Sequence, residues 1–341
     1  MMIPVTLLTG FLGAGKTTLL NRLMAAHPDQ RFAIIENEFG AAGIDGSLIS
    51  PGATQIIELS NGCICCSVRG ELATALTDLL AQREAGSLAF DRLVIETTGL
   101  ADPGPVIQTF FWEERLREAF QLDAVITLVD VCHITGQLDR EAVAGAQVAY
   151  ADWIIITKTD LAGLHSVPER LATINARAPL IDVRELDAHW PALLATGGFS
   201  LGEKGLLPEQ GLRVARAANE RRNAFGQKMP RRSWDDAIGS LLLEADAALD
   251  LDAVSAFVDR LIAEHANDLL RYKGILAIAG EPRRLVFQGV HRLAGFDYGR
   301  PWGEHESQRS RIVLIGRDLP EDALRASFAA CCEGMSLASG H

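Results

Sequence analysis

A chain of 341 residues, 48% hydrophobic and 22% charged, has the composition of an ordinary globular protein and the length of two domains. Its formal net charge of −12 argues against broad electrostatic attraction to nucleic acid or to an anionic membrane. No apolar run reaches the roughly 18 residues of a membrane span, and the apolar N-terminus lacks the basic n-region of a signal peptide. The expectation is therefore a cytoplasmic protein whose six cysteines are thiols or metal ligands and not disulfides.

The first element is a short apolar run over residues 3–8, read as a buried strand. It leads into Gly10-Phe11-Leu12-Gly13-Ala14-Gly15-Lys16-Thr17-Thr18, which fits the phosphate-cradling pattern G-x-x-x-x-G-K-[ST]. Over residues 16–27, Leu19, Leu20, Leu23 and Met24 recur at helical spacing, and Pro28 stops the run. The loop thus lies between a strand and a helix N-terminus, where backbone N–H groups converge and the helix dipole favours anions. Gly13 and Gly15 are expected to let the backbone close around phosphate. Lys16 is expected to pair with the β and γ phosphates, and the Thr17 hydroxyl to hold Mg2+.

Residues 31–39 read as a second strand ending in Glu36-Asn37-Glu38-Phe39-Gly40. Carboxylates at such a strand end sit at the carboxyl edge of a sheet, where α/β proteins place ligands; on spacing alone, solvated loop charges are an equal reading. Gly43, Gly46, Pro51 and Gly52 then punctuate a segment of the kind that switches. A strand over 54–59 runs into Gly62-Cys63-Ile64-Cys65-Cys66. Thiolates are soft ligands that suit Zn2+, Cu+ or Co2+ and not Mg2+. Three of them leave a tetrahedral ion one ligand short, as in an exchangeable or reactive site. Packed or redox-active thiols are the alternative.

An amphipathic helix is expected over 71–83 and a parallel-type strand over Arg92–Thr97, ending in Glu96-Thr97-Thr98-Gly99. Glu96 at its tip is the second Mg2+-side group and joins Lys16 and Thr17 as the catalytic set, while Gly99 offers a backbone N–H to a γ-phosphate. A strand over 123–130 and a helix over 133–150 follow, with Cys132 and His133 between them expected to pack. The strand over 152–157 leads into Thr157-Lys158-Thr159-Asp160, the guanine-reading N-K-x-D pattern with Thr in place of Asn. Asp160 can accept from guanine N1–H and its 2-amino group; adenine offers neither donor there and would leave the carboxylate unpaired. The stem of Lys158 can lie on the base.

Residues 181–183 close an alternation of strands and helices that predicts an α/β domain over 1–194, a doubly wound, mainly parallel P-loop NTPase sheet. Residues 195–232 are rich in glycine and arginine and read as a linker. From 233 to 335 strands over 238–243, 270–278, 284–290 and 310–315 group with helices over Leu251–His265 and 320–332, predicting a smaller α+β C-terminal domain. Cys331 and Cys332 on the last helix are expected to be inert.

Taken together, Gly-Phe-Leu-Gly-Ala-Gly-Lys-Thr-Thr, Glu-Asn-Glu-Phe-Gly, Gly-Cys-Ile-Cys-Cys, Glu-Thr-Thr-Gly-Leu-Ala-Asp-Pro and Thr-Lys-Thr-Asp resemble the CobW/YjiA family of metal-binding GTPases. Gly299-Arg300-Pro301-Trp302 and residues 310–318 resemble its C-terminal domain. The phosphate loop alone is generic; joined to Cys-x-Cys-Cys it is specific. The resemblance implies binding of GTP and GDP, slow hydrolysis with Mg2+, and delivery of a transition-metal ion, chiefly Zn2+ or Co2+, to a client metalloprotein. It assigns Cys63, Cys65 and Cys66 to the transition metal, and Thr17 and Glu96 to Mg2+. Lys158 and Asp160, with Thr157, take the base motif. This chain departs from the pattern at Thr157, in lacking a long histidine-rich run, and in carrying Leu100 where many switch GTPases have a water-orienting Gln. Neither nucleic acid nor membrane is an expected partner; a homodimer is open. The rival readings are a non-catalytic thiol or zinc sensor with a weak nucleotide site, and an ATP-using phosphotransferase, against which Asp160 argues.

Overall fold

The computed structural model describes residues 2–38, 55–60, 68–198, 238–303 and 306–332. The chain divides into two compact units, Met1–Arg170 with Ala178–Ser200, and Leu171–Arg177 with Leu201–His341.

The N-terminal region alternates strands and helices: β1 (Ile3–Gly10), α1 (Lys16–Ala26), β2 (Phe32–Glu38), β3 (Gln55–Ser60), α2 (Val68–Glu84), β4 (Arg92–Thr97), α3 (Pro103–Trp112), α4 (Glu114–Ala119) and β5 (Phe120–Asp130). Then come α5 (Ile134–Arg140), α6 (Ala142–Tyr150), β6 (Trp153–Thr157), α7 (Val167–Ile174), β7 (Leu180–Asp182), a 3-10 turn over Val183–Ala188 and α8 (Trp190–Leu193). Among the described residues the strands form one seven-stranded sheet in the order β3-β2-β4-β1-β5-β6-β7. Every pairing in it is parallel. The strands that flank β1 are buried almost throughout, as parallel strands covered by helices on both faces must be. On one face Leu19, Leu20 and Leu23 of α1 and Trp190 and Leu193 of α8 close over Leu8, Ile34, Val94 and Ile126. On the other, α3 packs against α2, α6 and β5. The chain winds outward from β1 on one side and returns to β5 on the other, so the strand order reverses beside β1. In open α/β sheets the ligand crevice lies at that point, outside the carboxyl ends of the strands.

Several elements differ from the sequence expectation, the short helices α4, α7 and α8 among them. The expected helix over 133–150 is two helices, broken at Glu141, whose backbone is extended (φ −123°, ψ 103°). Helix α3 was not anticipated, although its start is written plainly: the Asp102 carboxylate accepts from the Gly104 N–H at 2.8 Å, with Pro103 at the first position.

The C-terminal region holds β8 (Ile238–Ala245), α9 (Leu251–His265), β9 (Leu269–Leu276), β10 (Arg283–Val290), β11 (Leu293–Pro301), β12 (Ser310–Arg317) and α10 (Glu321–Ala329). The strands pair antiparallel in the order β11-β10-β9-β12-β8, the α+β layer expected. Its core joins Phe257 and Leu261 of α9 and Phe328 of α10 to Leu243, Tyr272, Leu276, Phe287 and Leu314 of the sheet. Edge strand β11 went unforeseen because it is largely exposed and carries no alternating apolar pattern. The expected linker over 195–232 lies, apart from residues 195–198, outside the described residues.

Candidate functional site

The strand-to-helix turn after β1 is built as a phosphate cradle. Gly15 caps α1 with φ 99°, and Gly13 has φ 73°, left-handed conformations that side-chain-bearing residues rarely adopt. The Ala14 N–H donates to Phe11 O at 3.1 Å and closes the loop. Lys16 is 92% removed from solvent, since only 8% of its surface is exposed. Its ammonium donates to Gly10 O at 2.9 Å and to Phe11 O at 3.3 Å, which anchors the charge across the loop. Thr18, the next residue but one, is exposed on the first turn of α1.

The Thr17 hydroxyl donates to Glu96 Oε1 at 3.1 Å, across 79 residues of sequence. Register explains the meeting. Glu96 pairs with Leu8 on β1 and with Glu36 on β2, which puts two buried carboxylates at the carboxyl edge beside the cradle. A hydroxyl and a carboxylate at an anion-binding loop are hard oxygen donors, the set that suits Mg2+ bound between protein and phosphate. These residues fit that ion.

Past Glu96 the chain turns at Gly99. A Cβ there would strike the backbone of Leu12, so only glycine allows this turn to lie against the phosphate loop. Leu100 is 51% exposed.

At the other end of the cradle the Thr157 hydroxyl reaches Ala14 O at 3.0 Å and Val129 O at 3.3 Å. The base motif is thus tied directly to the phosphate loop by the residue that departs from the family pattern. Lys158 adopts φ 59°, and its ammonium donates to Asp130 Oδ2 at 2.7 Å. Asp130 is almost fully buried and also accepts from the Cys132 N–H at 2.9 Å. Burial pushes its carboxyl up, but the Lys158 ammonium and the Cys132 amide outweigh burial and hold it below the usual aspartate range. Asp160 is exposed. Cys132, expected to pack, is exposed; desolvation and the Asp130 charge raise its thiol. Cys331 is buried as expected for an inert thiol, pushed by burial up to about 11.

The sequence reading missed two residues of this site. Asp130 had a signal: it is a strand-end carboxylate at the same edge as Glu36 and Glu96. Gln147, which donates to the carbonyls of Gly99 and Ala101, was marked only by being an amide in an otherwise apolar helix.

Cys63, Cys65 and Cys66 lie outside the described residues, as do the segment over 39–54 and the Glu38 side chain. Among the described residues no group of three or more His, Cys, Asp or Glu could hold a metal ion. What is described is where the cysteine segment is tethered. Its chain leaves β3 at Ser60, the register partner of Glu38, and re-enters α2 at Val68. Ser60 therefore stands at the same carboxyl edge as Glu36 and Glu96.

Two family descriptions match the chain. The family description "CobW/HypB/UreG, nucleotide-binding domain" matches residues 4–182, and "Cobalamin synthesis protein cobW C-terminal domain" matches residues 238–332. The chain is 48% identical to the zinc chaperone YjiA of Escherichia coli (strain K12), covering 96% of this chain and 98% of that protein. It is 33% identical to the zinc chaperone CobW of a Sinorhizobium species, covering 96% and 97%. Among solved structures, the Zn(II)-bound YjiA GTPase from E. coli superposes with a TM-score of 0.70 at 39% identity, covering 97% of this chain and 99% of that one. A nucleotide-binding match across half of the sequence, joined to a relative aligned nearly end to end, places this chain in the CobW/HypB/UreG family.

Proposed function

We propose that this P-loop GTPase binds a transition-metal ion, Zn2+ foremost and Co2+ as the second candidate, through Cys63, Cys65 and Cys66, and delivers it to a client metalloprotein under control of the bound nucleotide. The observation that carries this reading is the Thr17–Glu96 contact at the mouth of the cradle, on the sheet edge from which the cysteine segment departs at Ser60.

The chain's own residues divide the work. The backbone of Gly13, Ala14, Gly15 and Thr18 and the Lys16 ammonium take the negative charge of the β and γ phosphates. Thr17 and Glu96 would hold Mg2+, which would supply positive charge to offset that of the phosphates. The Gly99 N–H meets the γ-phosphate. Asp160 reads the guanine edge, Lys158 lays its stem along the base while Asp130 holds its ammonium, and Thr157 fixes this base site to the loop at Ala14. Loss of the γ-phosphate removes its contact with the Gly99 N–H, and the grip of the cysteine segment on its cargo changes with it.

Linkage makes the proposal measurable: if GTP tightens the metal, metal tightens GTP by the same factor, typically about 1–3 kcal/mol. Zn2+ and Co2+ affinities are to be measured by competition with a chromophoric chelator, in GDP and in a non-hydrolysable GTP analogue with Mg2+. Tighter binding in the analogue is expected. Lys16→Ala is expected to abolish nucleotide binding, and Cys65→Ala to abolish tight metal binding with GTP binding retained. Equal metal affinity in both nucleotides removes the gating; parental metal affinity in Cys65→Ala removes the cysteine assignment.

A further inference from the structure

Gln147 belongs to none of the motifs that define the site, yet it touches the part of the site that must answer to the γ-phosphate. We infer that Gln147 is a positioning residue for GTP hydrolysis, holding the Gly99 turn in register with the phosphate loop; this rests on the proposed contact of the Gly99 N–H with the γ-phosphate. Helix α6 is otherwise an apolar packing element, with Ala144, Ala146, Val148 and Ala149 buried. An amide only 1% exposed in such a setting is costly unless its donors are satisfied. Here Nε2 donates to Gly99 O at 3.2 Å and to Ala101 O at 3.1 Å. Both acceptors lie in the one turn that leaves β4, so a single side chain fixes its two ends. The backbone that carries this side chain is itself anchored: the Thr127 hydroxyl on β5 donates to the main-chain carbonyl of Gln147 at 2.7 Å, and Thr127 is the register partner of Thr9, which precedes the phosphate loop. On its other side the turn presses on Leu12 at Gly99. The Gly99 peptide is therefore held between the loop and the Gln147 amide, and the direction of its carbonyl is fixed from α6. Among the rest of the turn, Leu100 N donates to Thr98 Oγ1 at 3.3 Å, a local bond that sets the turn's shape but not its distance from the loop.

The test uses the full chain and two substitutions of similar size. Q147E sets a carboxylate oxygen against two carbonyl oxygens. Burial raises that carboxyl's pKa, and once protonated it can donate one of the two lost bonds. At about pH 8, Q147E is expected to lower kcat for GTP about ten- to a hundredfold, as misplacement of a reacting group does. KM for GTP and affinity for GDP should stay within about threefold, because ground-state binding is held elsewhere. As pH is lowered towards about 6, the ratio of Q147E to parental kcat should rise, whereas Q147L, which has no donor at any pH, should show no recovery. Parental kcat in Q147E at the higher pH overturns the inference. So does a joint fall of kcat, GDP affinity and thermal midpoint with no pH recovery, the signature of a packing residue. Lys16→Ala serves as the separate control: GTP binding that survives it defeats the phosphate-loop reading itself, whatever Gln147 does.

Discussion

A threonine in place of the usual asparagine at 157 looks in the sequence like a weakened guanine site, and the structure gives it a different meaning. What that position needs is a donor that reaches the phosphate loop, and a hydroxyl on β6 reaches Ala14 O at 3.0 Å. Thr157→Val keeps the shape and removes the donor, leaving a buried carbonyl short of a partner, which costs about 1–3 kcal/mol. A lower urea midpoint together with weaker GTP binding is the expected outcome in a titration; unchanged GTP affinity would separate the base motif from the loop. Asp130 acts one residue further along. Its carboxyl is held below the ordinary value of about 3.9 by Lys158 and the Cys132 amide, against the opposing effect of burial. A depressed carboxylate contributes stability that is present above its unfolded pKa and lost as pH falls through its lower folded one. Below about pH 4 the parent should therefore lose stability more steeply than Asp130→Asn, which has no such proton to take up. Unfolding midpoints measured from neutral pH down to acid check the slope, and parallel curves would count against the pairing.

At the scale of elements, the end of the sheet remote from the nucleotide is closed by a buried ion pair. Arg92 at the start of β4 donates to Asp123 Oδ2 at 2.9 Å and to Thr6 Oγ1 at 2.9 Å, and to the Leu194 carbonyl. Asp123 Oδ1 in turn accepts from the Gly197 N–H at 2.7 Å. The pair thus ties β1, β4 and β5 to the chain that follows α8. Arg92→Met should cost about 3–5 kcal/mol, because it strands a buried carboxylate, whereas the double variant R92M/D123L should cost less than the two single changes together. Denaturant unfolding of the four proteins gives the coupling; strict additivity would show the pair to be independent. Nothing in the sequence marks this pair, since Arg92 reads only as a polar strand start and Asp123 as another. The cradle, by contrast, was legible because its chemistry is local: Gly13, Gly15, Lys16 and Thr17 are read from one stretch. Glu96 was legible because it ends an apolar strand. Gln147 and the Arg92–Asp123 pair act between segments 30 or more residues apart, and no pattern of spacing in one chain encodes such meetings. The exposed β11 failed for a different reason, as an edge strand without an apolar face has no periodicity to read.

At the scale of the molecule, the two compact units carry separate cores. Leu20, Phe32 and Trp190 are buried in the first, and Phe257, Tyr272 and Phe328 in the second. The phosphate loop, Glu96, Gly99 and the Thr157–Asp160 motif all belong to the first. A ligand that binds only the native form of one unit stabilises that unit by mass action, about 2.7 kcal/mol at a hundred times its Kd. Calorimetry of the full chain is therefore expected to resolve two transitions, of which a non-hydrolysable GTP analogue with Mg2+ raises one, and Lys16→Ala removes that response. The other transition should answer to its own core. The Phe257 and Phe328 rings meet at 5.5 Å between centroids where α9 and α10 close on the second sheet, and Phe328→Ala should lower that transition by about 3–5 kcal/mol while the response to nucleotide persists. A single cooperative transition that moves with both the nucleotide and the Phe328 substitution would mean that the units do not unfold separately. The response to nucleotide would then be spread over the whole chain, and not confined to the place where Thr17 of α1 meets Glu96 of β4.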